Sequence, residues 1–436
     1  MGKRSPRLAV VYALLRVTAG SGYSNIVADH SFDALADARD RAFAGTLFYG
    51  VLERLLQLDY ILAAYCKKPL ARLDAEVLCI LRLSLYQLLY LDSVPESAAV
   101  NEGVLLTRQM GKGSASGFVN GILRAFLRDG KPELPGGEKL NDLQRLSVRC
   151  SAPEPLCRLL IDQYGVETAE AFLQNSLEPA PVYIRANNTR IDETALSARL
   201  EQEGARACST GLSGCIRLER AGDLTAYSAF SEGLFHVQDR SSQLCCRLLE
   251  ARPGMRVLDV CAAPGGKSFT VAEMMEDRGE VLACDLYPNR VGLIGSGARR
   301  LGLNSIRTTA ADAAVYRPEL GEFDRVLCDV PCSGLGIIRR KPEIKYKDMA
   351  GFQELPEQQY RILETASQYL SPGGRLIYST CTLNKAENEA VVQRFLREHG
   401  EFEPDPIGED GSYHRTLLPQ NEGGDGFFIA AVRRAK

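Results

Sequence analysis

Asp259-Val-Cys-Ala-Ala-Pro-Gly-Gly-Lys-Ser268 decides how the second half of this chain reads. A short apolar run, Arg256–Val260, leads into it, and a segment with helical character follows. A glycine-rich turn between a strand and a helix lets a ligand approach the backbone and meet free amide groups at the helix start. Two nucleotide-binding patterns compete for such a turn. The dinucleotide fingerprint GxGxxG is absent, and the phosphate loop GxxxxGK[ST] needs glycine at 261, where Cys261 stands. An ATP site therefore rests only on the near match Gly266-Lys267-Ser268.

Working outward, Glu280–Asp285, Ser305–Thr309, Arg325–Cys328 and Arg375–Ser379 are further short apolar runs. Helical segments separate Arg256–Val260, Glu280–Asp285 and Ser305–Thr309, and another lies between the last two runs. That alternation predicts a parallel sheet covered on both faces, a Rossmann-like α/β domain. Gly426–Val432 adds a strand, placed as the antiparallel edge. Asp285 ends the second strand, twenty residues after Gly265, where an acid suits the two hydroxyls of a ribose. Asp312 follows the third strand, placed to receive an adenine amino group. Either acid alone reads as surface charge. Together, at successive strand ends of an open sheet, they favour an S-adenosylmethionine site.

Two further loops carry thiols. Asp329-Val-Pro-Cys-Ser-Gly-Leu-Gly336 follows the fourth strand, and Ser379-Thr-Cys-Thr382 follows the fifth. If these strands are neighbours they lie about 4.8 Å apart, which brings Cys332 and Cys381 to one pocket. A thiolate adding to carbon 6 of a cytosine makes carbon 5 nucleophilic enough to accept a methyl group, so one hard step becomes two easier ones. A second thiol nearby assists release, and Asp329 is placed to hold the ring nitrogen and stabilise developing charge. Lys267 is a candidate source of the positive charge that lowers a thiol pKa. Packing is the competing role for any one cysteine of the thirteen. No pair has CxxC spacing, so no metal site is expected.

The first ~130 residues carry helical periodicity instead, with Leu8, Val11, Leu14 and Leu15, then Leu78, Leu81, Leu85 and Leu88. Breaks at Pro95 and at 111–114 precede a helix over Phe118–Phe126. Lys131–Lys139, with two prolines and paired glycines, reads as a linker. Helices near 153–176, short strands at Val182–Ala186 and Cys215–Leu218, and a helix at 192–203 make a small α/β connecting domain. The expected division is an all-α domain at 1–135, the connecting domain at 140–235 and the catalytic domain at 236–436. The net charge of −3 does not mark a nucleic-acid binder. Locally, though, Arg339, Arg340, Lys341, Lys345 and Lys347 cluster against only Glu343 and Asp348, as a solvated face or a phosphate-binding patch. Met1–Arg7 is basic without a signal-type apolar core. The run Ile80–Leu91 is broken by Arg82, Ser84 and Gln87. A cytoplasmic protein with reduced thiols and no membrane partner is expected.

Val257-Leu-Asp-Val-Cys-Ala-Ala-Pro-Gly-Gly-Lys267, Asp329-Val-Pro-Cys-Ser-Gly334, Ser379-Thr-Cys-Thr382 and Asn384 with Glu387-Asn388-Glu389 together resemble the RsmB/NOP family of RNA cytosine-5 methyltransferases. The resemblance spans nearly the whole chain, strongly in the last 200 residues. It implies that the helical front end is a NusB-like RNA-binding domain. It implies S-adenosylmethionine bound by Ala262, Ala263, Pro264, Gly265, Gly266, Lys267, Ser268, Asp285, Arg290, Asp312 and Asp329. Cys381 would attack the base and Cys332 would help release product. DNA cytosine methyltransferases attack with the Pro-Cys cysteine, so both thiols together favour RNA. Val237–Ser242 matches the opening of the family's catalytic domain, Arg339–Lys341 would meet RNA phosphates, and Gly424–Phe428 matches its late strand. Val330 departs from the usual alanine, and Cys150-Ser-Ala-Pro-Glu-Pro155 departs from a His-Pro-x-Trp-like stretch in a chain with no Trp. The NusB-like front end points to 16S ribosomal RNA, before or during small-subunit assembly, with the enzyme acting as a monomer. Transfer RNA as substrate, or a noncatalytic RNA-binding role, are the alternatives. Intact Cys332 and Cys381 argue against the latter.

Overall fold

The computed structural model describes residues 5–20, 22, 24–132 and 137–436. Residues 1–4 of the basic N-terminus and 133–136 of the expected linker lie outside the described residues. The chain falls into two compact units, one of residues 1–179 with Ile338–Lys347, the other of Ala180–Ile337 with Asp348–Lys436.

Among the described residues the first unit has helices and no strand. Its centre is the helix Ala75–Tyr90, buried on nearly every side and so apolar almost all round. The helices Pro6–Thr18, Ala38–Glu53, Leu55–Tyr65, Glu96–Gln109 and Ser116–Arg128 bury their apolar stripes in one core with it. Three more helices, Asp142–Arg149, Glu154–Tyr164 and Val166–Asn175, belong to this unit. The contact division falls after Pro179, inside the expected connecting domain. One tie responsible is Ser151, whose Oγ accepts from the backbone of Leu56 (3.0 Å) and Gln57 (3.3 Å), free donors at the start of Leu55–Tyr65.

The segment Ile338–Lys347 corrects the reading of the basic cluster as one solvated or phosphate-binding face. Arg339 donates to the carbonyls of Glu178 and Pro179 and to Asn175 Oδ1. Lys345 is 2% exposed and its Nζ donates to the Glu53 carbonyl at 2.7 Å. Tyr346 donates to the Ser151 carbonyl at 2.9 Å. Burial pulls the Lys345 ammonium down and pushes the neighbouring Glu53 carboxyl up. Two of the five cations are therefore internal ties. Sequence counts charge, but only packing shows that Ile344 and Tyr346 carry the segment inward.

The second unit holds two sheets. The smaller contains β1 (Val182–Ala186), β2 (Arg206–Ser209), β3 (Cys215–Arg220) and β4 (Phe235–Val237), antiparallel in the order β2-β3-β1-β4. The helix Glu193–Gln202, capped by Asp192, packs with them. The larger contains β5 (Arg256–Asp259), β6 (Glu280–Asp285), β7 (Ile306–Ala310), β8 (Phe323–Asp329), β9 (Leu370–Thr380), β10 (Phe402–Pro404), β11 (His414–Leu417) and β12 (Phe427–Arg434). Its order is β10-β12-β9-β8-β5-β6-β7, with β11 also on β12. The five strands from β9 to β7 run parallel. β12 is antiparallel to β9, as expected, but it is not the edge, because β10 and β11 pair with it. Apolar cores cover both faces, so this is a doubly wound, Rossmann-like sheet. The two sheets are pinned by Asn187, whose amide donates to the carbonyls of Gly233 and Leu301, both at 2.9 Å.

Candidate active site

From β5 the chain winds outward to β6 and β7, then returns to the other side of β5 for β8 and β9. Loops leaving neighbouring strands on opposite faces open a crevice at such a reversal, and open α/β sheets bind ligands there. A cavity of ≈ 200 Å³ lies at this point, lined by Asp259, Cys261, Ala262, Ala263, Pro264, Gly266, Lys267 and Asp329. Val237, Gln238, Asp239 and Ser242 complete its wall.

Gly265 caps the helix Gly266–Met274 with φ 115°. A Cβ there would stand 2.3 Å from the Phe269 ring, so this turn takes only glycine. Ser268 is buried outside the lining and donates to Asp259 Oδ2 at 2.7 Å. These two residues shape the loop from behind.

Lys267 crosses the crevice. Its Nζ donates to Asp329 Oδ2 at 2.7 Å and lies 5.2 Å from the centre of the Phe427 ring. Burial works against the ammonium, but Asp329 and the Cys245 and Cys246 thiols overbalance it, so its pKa is raised and the charge is kept. Asp329 Oδ1 accepts from Ser379 Oγ at 2.7 Å. The lysine is thus paired with a carboxylate, not with a thiol.

Asp259 is 1% exposed. Burial raises it to about 7, with the Ser268 hydroxyl pulling the other way. A carboxyl raised above its unfolded value binds its proton more tightly in the folded state. Its contribution to stability is full below pH ~4 and is lost as pH rises through 7, an effect on the order of a few kcal/mol. Asp259→Asn is expected to flatten this window. In urea unfolding of the whole protein, the loss of stability between pH 5 and 8 should be smaller in the variant. An equal loss in both proteins would show that Asp259 does not titrate there.

Asp285 ends β6. Its Oδ2 lies 3.3 Å from both the Ala263 amide and Arg290 Nη1, and Arg290 Nη2 donates to the Ala263 carbonyl at 3.0 Å. The acid and the arginine therefore brace the loop, beside the cavity but not in its lining. Asp312 is exposed beyond β7, with Oδ1 accepting from the Ala314 amide at 2.9 Å. The neighbouring Ala311 amide donates to the Asp285 carbonyl at 3.0 Å, which brings the β6 and β7 loops together.

The thiols meet. β8 and β9 are parallel neighbours with Asp329 opposite Ser379. Cys332 and Cys381 leave these strand ends together, and their Sγ atoms are 3.3 Å apart. The hydrogen bond to Cys381 is the largest cause raising the Cys332 pKa, followed by burial and by the charges of Cys381 and Glu387. Sequence reasoning missed Gln238, Asp239 and Ser242 as cavity wall, since Val237–Ser242 signals no chemistry by residue type.

Comparison with known proteins defines the class first. A family described as 16S rRNA methyltransferase RsmB/F matches residues 246–433, the NusB family matches 4–128, and an RsmF/B-like ferredoxin-like domain matches 152–225. The order is NusB-like, ferredoxin-like, then methyltransferase. Full-length relatives agree. The probable ribosomal RNA small subunit methyltransferase B of Bacillus subtilis is 36% identical, covering 100% of both chains. The Pseudomonas putida ribosomal RNA small subunit methyltransferase B is 34% identical over 98% of each. A methyltransferase homologue from Pyrococcus horikoshii, 27% identical, superposes with a TM-score of 0.60 over 68% of this chain and 100% of its own. NSun6 from the same organism, solved with SFG, shares the fold at 21% identity and TM-score 0.60, over 65% of this chain and 98% of its own. The chain belongs to the RsmB/F family of 16S rRNA methyltransferases.

Proposed function

We propose that this protein uses S-adenosylmethionine to methylate carbon 5 of a specific cytosine in 16S ribosomal RNA, through a covalent bond from Cys381 to the base. The observation that carries this is the pair of thiols 3.3 Å apart at the sheet edge beside the switch-point cavity. Relatives named for the small-subunit RNA support the substrate.

The residues fit the cofactor. The loop Ala262–Ser268 offers backbone and a helix start, Asp285 offers a carboxylate at the end of β6 for hydroxyls, and Asp329 offers a carboxylate against a cation. Asp285, with Arg290 bracing it, and Asp312 would hold the nucleoside end. When bound, the group supplies an electrophilic methyl carbon.

Cys381 Sγ, as thiolate, adds to carbon 6 of the ring, and the electron pair of the 5–6 double bond becomes available at carbon 5 for the methyl group. Loss of the carbon 5 proton returns its pair to the ring, and the bond from carbon 6 to Cys381 breaks with its electrons on sulfur. Cys332, whose thiol pKa is raised, donates toward the departing sulfur. Asp329, fixed by Lys267 and Ser379, holds the ring nitrogen while charge develops, in place before the reaction begins. Both faces of the ring must be reachable, so the cytosine is single-stranded or flipped out. The NusB-like and ferredoxin-like domains supply backbone and shape contacts. In this proposal the enzyme acts as a monomer in the cytoplasm, before or during small-subunit assembly.

Labelled S-adenosylmethionine with unmethylated 16S transcript tests this. Wild type should label cytosine carbon 5, and Cys332→Ala should accumulate a protein–RNA adduct that survives denaturing gels. Label on transfer RNA alone would keep the chemistry and move the substrate. RNA binding without label on any RNA would leave a noncatalytic binder.

A further inference from the structure

We infer that Glu387 is a positioning residue that fixes Cys332 at the sulfur of Cys381, and so serves product release more than attack. The inference rests on the roles proposed for the two thiols.

Glu387 is fully buried and takes four donors. Its Oε1 accepts from Ser333 Oγ (2.6 Å) and Asn384 Nδ2 (3.0 Å), and its Oε2 from the Ser333 amide (2.8 Å) and Gln359 Nε2 (3.0 Å). Four acceptor sites on one carboxylate are thereby filled. Ser333 follows Cys332 directly, and Asn384 lies in the loop that carries Cys381. Gln359, on the helix Leu355–Ser367, also donates to the carbonyl of Pro331 at 2.9 Å. The peptides on both sides of Cys332 are thus held by the same pair of side chains.

The two loops are bridged as well. Ser333 Oγ and Thr382 Oγ1 are 2.7 Å apart, and Tyr378 donates to the Glu387 carbonyl at 2.6 Å. Nothing in this network touches Cys381 Sγ itself. Its flanking residues have further ties outside the carboxylate, from Asn388, which accepts from Thr380 Oγ1 (2.6 Å) and donates to the Thr382 carbonyl (3.0 Å). Loosening Glu387 therefore frees Cys332 while the Asn388 ties on the attacking loop remain.

The test compares wild type, Cys332→Ala, Glu387→Gln and Gln359→Leu with labelled S-adenosylmethionine and 16S transcript. The glutamine keeps the shape, but its amide nitrogen meets donors where an oxygen accepted. Turnover, KM for RNA, adduct on denaturing gels and melting temperature are read together. A displacement near 1 Å at a reacting group costs on the order of 10–100-fold. Glu387→Gln is expected to lose turnover on that scale with KM little changed, and to accumulate adduct as Cys332→Ala does. Gln359→Leu should shift the same way by less, and it decides the matter should Glu387→Gln fail to fold. Adduct in Cys332→Ala but in neither of the other two would overturn the inference, as would wild-type turnover in folded Glu387→Gln. No adduct in Cys332→Ala would instead remove the reading of the thiols beneath it.

Discussion

Cys381→Ala is expected to lower methyl transfer by more than about three orders of magnitude, because without the sulfur the ring has no route to a nucleophilic carbon 5. Cys332 cannot substitute for it. The hydrogen bond to Cys381, burial and nearby negative charge raise the Cys332 pKa, which lowers its thiolate fraction. Folding should be almost untouched, since the thiol is only half-buried at a loop. Single-turnover labelling of 16S transcript, with melting temperature and RNA binding as controls, reads the effect. Residual activity of several per cent in Cys381→Ala, or adduct formed by Cys381→Ala and not by Cys332→Ala, would reverse the roles of the thiols.

The second large effect is expected at Gly336. Its amide donates to the Cys381 carbonyl at 2.9 Å and its carbonyl accepts from the Gly426 amide at 2.9 Å. It therefore sits where the two thiol loops meet the start of β12. A Cβ at 336 would stand 2.0 Å from the Gly426 carbonyl oxygen and 2.8 Å from that of Cys381. Both are backbone atoms, with no flexible side chain to give way. Gly336→Ala should cost about 3 kcal/mol of stability, as overpacking does, and should cut activity about 100-fold by displacing both thiols. Denaturant unfolding and turnover measured on the same preparation would show the two losses together. A variant with wild-type stability and activity would mean that the three loops are far softer than their hydrogen bonds indicate.

Much of this site is legible in the sequence, for a definite reason. Asp259–Ser268 announces itself because only glycine satisfies the left-handed turn at 265, and the thiols announce themselves because each falls just past an apolar run. Four of the five parallel strands are equally plain, since each carries a buried apolar run, whereas β7 is Ile-Arg-Thr-Thr-Ala and only partly covered. What stays hidden depends on three-dimensional neighbours. β2 is short and largely exposed, so its periodicity is faint. β12 looks like an edge until β10 and β11 pair with it. Glu387 reads as one acid in an acidic stretch, and only the fold delivers four donors to it. Lys345 is the opposite case, a residue whose charge suggests solvent while its aliphatic stem and its neighbours carry it inward.

The placement of Ile338–Lys347 bears on how freely the protein can be dissected. The chain passes between its two units three times, after Pro179, Ile337 and Lys347, so no single cut yields two finished modules. Excising residues 1–179 would strip Ile344, Lys345 and Tyr346 of the carbonyls and side chains that receive them, a few residues downstream of Cys332 on the same stretch of chain. A fragment of residues 180–436 would carry this segment as an internal loop with Ile344 and Tyr346 uncovered, and its poor behaviour would say nothing about whether the missing residues contribute to the chemistry.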